Sequence, residues 1–471
     1  MNRQRVEGVS MRSPRRYLTQ TDLMSWRMEA DPVLRSTIVA VALLDRRPDW
    51  DRFVSMMERG TRRVPLFRCK VVTPRFGMSP PYWVDDPDFD LSWHLRSFTL
   101  SDREGWGGVL DFARTAAMSA FDKDRPLWEF TVLGGLAGGR AALVTKVHHS
   151  LTDGVGGMQI VREIVDLTRD GDERPHEPSE DVPSATGAAP RLGYWPDRLA
   201  TGGRSALRAS TAAIRNPAGV VRGTSAALAS TMRLTRPVFS TLSPVMTERS
   251  TLRRLATLDV AVRALDGAAE ASGGSINDAF LAAVLLGAAR YHRHHGAAVD
   301  RLRVTLPISL RTERDAMGGN RITLARFPLP TDVADPVELI GRVHTLVDTW
   351  RHEPAVRWSP AIAGTLNLLP AAVLVGMLEH VDLVASNVTG SPVPLFTAGA
   401  QILGHYAFSP TLGSAFNVTL MSYRSRCCIG VNADAAAVPD VDVLAGALAD
   451  GFREVVALCP DAAETAVMLR T

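Results

Sequence analysis

The sequence predicts a mixed α/β chain of α+β type, built in two halves, on three observations. Its 471 residues exceed the roughly 250 to 300 at which a single hydrophobic core stops growing. Short β-rich runs alternate with helical stretches on both sides of the middle. Between the halves the composition changes. Residues 170 to 190 read DGDERPHEPSEDVPSATGAAP, dense in Pro, Gly, Ser and acid with no hydrophobic period, as a flexible linker does. The predicted units are therefore an N-terminal domain over 1–169, a linker with crossover helices over 170–250, and a C-terminal domain over 251–471.

In chain order, Thr37 to Leu44 and Leu143 to Val147 are β-rich apolar runs of strand length. After the linker, Gly193 to Arg236 is rich in Ala, Arg, Ser and Thr with scattered apolar residues, the composition of one or two exposed crossing helices. The second half opens with a predicted strand at Leu255 to Val260, a helix over Ala261 to Ala271 and a strongly apolar helix from Asn277 to Tyr291. Strand patterns recur at Arg303 to Leu306, Ile322 to Phe327, Leu383 to Val388, Phe416 to Ser422 and Cys427 to Ala433. No fixed-period repeat relates the halves.

Composition narrows the function classes. Hydrophobic residues make up 46% and charged residues 22%, ordinary for a globular chain and unlike a disordered or fibrous one. The 53 basic and 50 acidic residues nearly cancel, and no basic run interleaved with aromatics marks a nucleic-acid footprint. The four cysteines, Cys69, Cys427, Cys428 and Cys459, have neither metal-ligand spacing nor a disulfide framework, which fits a reducing compartment and predicts a cytoplasmic location. The basic N-terminus leads into no signal-peptide-like apolar stretch. Residues Ala361 to Leu378 are apolar but are interrupted by Pro370, two glycines, Thr365 and Asn367, so the segment reads as a core or membrane-surface helix rather than a span.

The most informative stretch is ALVTKVHHSLTDGVGGMQIVREIVDL, a strand from about Ala142 running into His148 and His149, then a loop with Asp153 and Gly154, then a helix. Consecutive strand residues point to opposite faces, so one histidine reacts while the other supports. The same divergence counts against a metal site, which needs converging ligands and a third donor that nothing nearby supplies. A carboxylate at Asp153 holds the turn or pairs with a distant arginine, and Gly154 permits a backbone angle other residues resist. A neutral imidazole, titrating near pH ~6.5, accepts a proton from an alcohol at neutral pH. No G-x-S-x-G elbow is present, and Ser150 diverges from His149 on an extended chain, so direct transfer fits better than a covalent enzyme intermediate. The plain alternative for two adjacent histidines is a structural or exposed pair.

The string HHSLTDG matches H-H-x-x-x-D-G, the signature of acyltransferases related to chloramphenicol acetyltransferase and to peptide-synthetase condensation domains. The chain further resembles the bacterial wax ester synthase/diacylglycerol acyltransferase family through Asp22 in LTQTDLMSW, Pro126-Leu127-Trp128, Ser275-Ile276-Asn277-Asp278, Pro307-Ile308-Ser309-Leu310-Arg311 with Gly319-Asn320, Ser386-Asn387-Val388 with Gly390, and Asn417 followed by Ser422-Tyr423 and Gly430. That resemblance implies two chloramphenicol-acetyltransferase-like domains with mixed sheets and a tunnel at their interface. It implies His149 as base, with His148, Asp153 and Gly154 shaping the site. It places Asn277 and Asp278 near the active site, where the Asn277 amide would meet substrate or oxyanion. A helix N-cap at this Ser-x-Asn-Asp string is the competing reading. Arg311 pairs with Asp153, contacts a coenzyme A phosphate or is solvated; the residues do not choose.

The implied substrates are acyl-CoA and a diacylglycerol or long-chain alcohol, with no metal or prosthetic group, and the lipid partners imply peripheral contact with a membrane or lipid droplet. One departure stands out. Where the family has a Pro-Leu-Asn turn, this chain has Met246, Thr247 and Glu248. If that turn shapes the acceptor pocket, a small or polyketide-type acceptor becomes an alternative. A non-catalytic lipid-binding homologue is the other.

Overall fold

The computed structural model describes residues 16–74, 79–101, 104–152, 154–171, 240–309, 322–352, 367, 376, 378–459 and 467–470. The first half runs β1 (Arg16–Tyr17), α1 (Gln20–Met28), β2 (Thr37–Leu44), α2 (Trp50–Arg63), β3 (Cys69–Val72), β4 (Tyr82–Asp85), α3 (Leu91–His94), β5 (Leu95–Thr99), α4 (Gly105–Met118), β6 (Trp128–Leu136), β7 (Arg140–His148) and α5 (Gly154–Glu163). The second half runs β8 (Arg253–Ala261), α6 (Val262–Ala271), α7 (Ile276–His294), β9 (Arg301–Ser309), β10 (Ile322–Pro330), α8 (Pro336–Arg351), β11 (Leu383–Val388), β12 (Phe396–Thr397), β13 (Ala400–Phe408), β14 (Phe416–Tyr423), β15 (Arg426–Asp434), α9 (Val441–Val456) and β16 (Val467–Arg470). The linker and the crossing helices expected over 193 to 236 lie outside the described residues, as does most of the apolar segment 361–378.

Among the described residues the strands form three sheets, ordered β1-β4-β3, β12-β13-β2-β7-β6-β5, and β10-β9-β11-β14-β15-β8-β16. Both large sheets are mixed: β5 runs parallel to β6 and β11 parallel to β14, amid antiparallel neighbours. Thus the predicted mixed α/β class holds. The six-stranded sheet is not made by the first half alone. Residues 396–408, far into the second half, supply β12 and β13, and β13 pairs antiparallel with β2 from Phe408↔Val39 to Ile402↔Leu44.

Two apolar cores correspond to the two large sheets. In the second, α7 is buried nearly all round, from Asp278 to Ala289, as an apolar helix must be. It packs against α9 through small residues. A Cβ on Gly451 would lie 2.3 Å from the Ala283 carbonyl oxygen, and one on Gly287 would lie 2.7 Å from Leu448 Cα. No single helix among the described residues is long and apolar enough to cross a membrane. The α6–α7 pair meets the length and composition criterion together but is bent by 96°.

The two sheets are joined through β13. On its face away from α5, Tyr406 donates a 2.7 Å hydrogen bond to Asp259 of β8, and Trp106 of α4 packs edge-on to Tyr406 while donating to Thr257 at 2.9 Å. Gly430 of β15 fits beneath β13, where a Cβ would lie 2.2 Å from the Ala407 carbonyl oxygen.

Candidate active site

Strand alternation separates the two histidines. Along β7, Ala142, Val144, Lys146 and His148 turn to one face, whereas Leu143, Thr145 and Val147 turn to the other and line a cavity that His149 also lines. The backbone fixes this divergence. The His148 N–H donates to Leu127 O at 3.0 Å on one side, and the His149 N–H donates to Ser36 O at 2.8 Å on the other.

His148 is fully buried, edge-on to Trp26 and Phe121. Its Nδ1 accepts the Ser150 backbone N–H at 3.1 Å and lies 2.7 Å from Ser150 Oγ. Because a backbone N–H can only donate, Nδ1 carries no proton, and the ring proton sits on Nε2. That nitrogen faces Glu29 Oε2 at 3.3 Å. Glu29, also buried, accepts from the Ser36 N–H at 3.2 Å. The same short segment that receives the His149 amide is therefore tied to the carboxylate behind His148.

The cavity on the His149 face spans about 1550 Å³ of space, part of it open to solvent, and lies where the two large sheets meet. From the six-stranded sheet it is walled by β2, β7 and β13, from above by α5 and α2, and from the seven-stranded sheet by β9, β10, β11 and β14. Most of the wall is apolar. Polar groups recur at Thr145, Thr152, Ser386, Asn387, Ser409 and Asn417. Several of these are already coupled: Asn417 Nδ2 donates to Pro410 O at 2.9 Å, and Thr419 Oγ1 bridges Ser409 Oγ and Asn417 Oδ1 at 3.0 Å each. A near-neutral, largely apolar passage with His149 on its wall can hold long hydrocarbon chains and move a proton at that point.

The other expected site residues fall differently. Asp153 and Arg311 lie outside the described residues. Gly154 is the first residue of α5. Asn277 and Asp278 do not line the cavity. Asp278 closes a capping box with Ser275, accepting its N–H at 2.8 Å and facing its hydroxyl at 2.7 Å, and also meets His344 Nδ1 of α8 at 2.8 Å. The carboxylate is engaged at the helix start and in helix packing. Asn277 sits in the first turn of the same helix, off the cavity wall.

Met246, Thr247 and Glu248, which replace the family's Pro-Leu-Asn, also stay off the cavity wall. Met246 is fully buried in the core beneath the seven-stranded sheet, its N–H donating to Ser243 Oγ at 2.9 Å. The described residues hold one group with metal-like convergence, His294, His295 and Asp440, which is not on the cavity wall either.

Sequence reasoning did not single out His405. It lies on β13, is only 8% exposed and lines the cavity, and burial pushes its pKa down to about 4. The signal available was one imidazole inside the largely apolar run AQILGHYAF.

The catalytic domain of the wax ester synthase/diacylglycerol acyltransferase family matches residues 18–280, and the family's C-terminal domain matches residues 318–455. A Mycobacterium tuberculosis protein that carries the name diacylglycerol O-acyltransferase is 37% identical over 94% of this chain and 92% of its own length. Among solved structures, the wax ester synthase/diacylglycerol acyltransferase of Marinobacter aquaeolei VT8 aligns with a TM-score of 0.63 at 22% identity, covering 93% of this chain and 98% of that one. The first condensation domain of the CDA synthetase aligns with a TM-score of 0.63 at 19% identity, covering 98% and 100%. At these identities the structures speak for the fold alone. Near-complete coverage by a relative at 37% identity, together with two successive domain matches, carries the assignment: the chain belongs to the wax ester synthase/diacylglycerol acyltransferase family.

Proposed function

We propose that this protein transfers a long-chain acyl group from acyl-CoA to the hydroxyl of a diacylglycerol, and to long-chain alcohols, with His149 as general base. The observation that carries this reading is the position of His149, whose ring reaches the wall of a long apolar cavity between two sheets while its neighbour His148 is locked behind it. Family membership supports the substrate classes.

The chemistry balances without a covalent enzyme intermediate. The His149 imidazole takes the proton of the acceptor hydroxyl as its oxygen attacks the thioester carbonyl carbon. The resulting tetrahedral oxyanion collapses, the carbon–sulfur bond breaks, and the imidazolium returns the proton to the departing coenzyme A thiolate. His148, held between Ser150 and Glu29, fixes the turn from which His149 projects. Asp153 and Gly154 complete that turn in this proposal. Both acceptor and product are lipids, so the enzyme works in peripheral contact with a cytoplasmic membrane face or lipid droplet.

The test is release of coenzyme A thiol from palmitoyl-CoA by the purified protein, with diacylglycerol or hexadecanol as acceptor, beside His149→Ala. Acceptor-dependent release lost in the variant is the expected result. Release that survives the substitution overturns the base assignment, and absence of release with both acceptors overturns the substrate assignment.

A further inference from the structure

The cavity contains a second imidazole that the acyl-transfer chemistry does not use. Register fixes its place. His405 of β13 stands opposite Ala42 of β2, which stands opposite Leu143 of β7. His149 lies six residues beyond Leu143, so the two imidazoles are separated by roughly 20 Å along the strands. That is the scale of an extended long-chain acyl group.

A β-bulge aims His405 inward. The register of β13 against β2 shifts between Ile402, opposite Leu44, and Gly404, opposite Leu43. The extra residue reverses side-chain parity, so Ile402, His405 and Ala407 share the cavity face. Without the bulge, Gly404 would face the cavity and His405 would face the second sheet. The residues flanking His405 on that face, Ala42, Ala40 and Ala407, are small and apolar. Its backbone N–H meets Cys428 Sγ at 3.4 Å, but among the described residues no polar group meets its ring. The ring nitrogens face the cavity, where water or a polar group on a bound chain can meet them. Burial keeps this ring neutral at pH 7, with one donor and one acceptor nitrogen. That pair complements a hydroxyl, which donates and accepts, or a keto oxygen, and offers no fixed charge to a carboxylate.

We propose that His405 is a specificity-determining residue that hydrogen-bonds an oxygen near the far end of the chain lodged in this arm of the cavity, so that the arm selects hydroxylated or keto long chains over plain ones. The inference rests on the acyl-transfer reading and names its substrate class more closely. The chain belongs to either the acyl donor or the alcohol acceptor; the oxygen is the shared chemistry.

The experiment compares kcat/KM in two arms. One pairs ω-hydroxypalmitoyl-CoA against palmitoyl-CoA with hexadecanol as acceptor; the other keeps palmitoyl-CoA and pairs hexadecanediol against hexadecanol. The expected result is a preference of about tenfold or more for the oxygenated chain in one arm, which identifies whose chain occupies it. In His405→Leu the preference for the oxygenated chain disappears, and in His405→Gln part of it returns. Equal kcat/KM in both arms, or a preference unchanged in His405→Leu, overturns the proposal. Equilibrium binding of the two thioesters and of the two alcohols reads the same preference without turnover, so an inactive wild-type protein would sink the acyl-transfer reading while still deciding this one.

Discussion

His148 and Glu29 face each other, Nε2 to Oε2, across 3.3 Å in a fully buried pocket, and the Ser36 amide that Glu29 accepts belongs to the residue whose carbonyl receives the His149 N–H. The pair therefore acts on His149 through backbone. His148→Ala leaves the carboxylate buried without its imidazole and is expected to lower unfolding free energy by about 1 to 3 kcal/mol, measured by urea denaturation. Transfer should fall as well. A His148→Ala variant with wild-type stability would show that the pair is incidental.

His149 itself is less deeply buried than His148. His149→Ala is expected to lower kcat by roughly 10² to 10⁴-fold while leaving the urea midpoint near the wild-type value. A parallel loss of stability and activity would instead assign His149 a structural task.

Around His405 the floor of the cavity carries the small side chains of Ala40, Ala42 and Ala407. Replacing Ala42 with Phe fills the passage between His405 and Leu143. Transfer from palmitoyl-CoA should drop by about tenfold or more, while transfer from butyryl-CoA, whose chain ends nearer His149, should be retained. Equal losses for both donors would place the acyl chain elsewhere.

Acidification provides a separate check on His405. Its folded-state pKa, about 4, lies below the ordinary histidine value near ~6.5. Between those values the unfolded chain binds a proton that the folded protein refuses, so stability falls as pH drops through this window, by up to ~3 kcal/mol for this residue. His94 and His292, also depressed by burial, contribute to the same slope. The difference between wild type and His405→Leu isolates the contribution of His405, and identical pH profiles for the two proteins would remove it.

Gly430 permits the close contact between the sheets. Its missing Cβ would sit 2.2 Å from the Ala407 carbonyl oxygen, backbone against backbone, so Gly430→Ala cannot be absorbed by a side-chain rotation. A loss of about 1 to 3 kcal/mol is expected, together with altered chain-length preference because Ala407 lies on the cavity wall.

How much of this was legible depended on range. The ends of β2 and β11 coincide with the runs Thr37 to Leu44 and Leu383 to Val388, because short apolar strands bounded by polar residues declare themselves locally. The opposed directions of His148 and His149 followed from strand parity alone. The place of β13 did not. Its nine residues look no different from a strand of the second sheet, and only the pairing of Phe408 with Val39, distant in sequence, puts it in the first. His405 was hidden for the same reason twice over, since its direction depends on a bulge within that unforeseen strand. The capping contacts of Asp278 could not be told from a substrate contact in the sequence, because both draw on the same residue types; the Ser275 and His344 distances show them.

Borrowing β13 has a consequence for how the molecule comes into being. During synthesis β2 and β7 leave the ribosome early, but the strand that pairs with the outer edge of β2 emerges some 260 residues after β7 ends at His148. At ~5 to 20 residues per second, that edge waits on the order of tens of seconds with its amides and carbonyls unpaired. Through that interval the nascent first half cannot close its own sheet. Any product released before Phe408 would carry an open strand edge and a half-roofed apolar channel, a species for chaperones to hold rather than a domain that folds early and waits for the second.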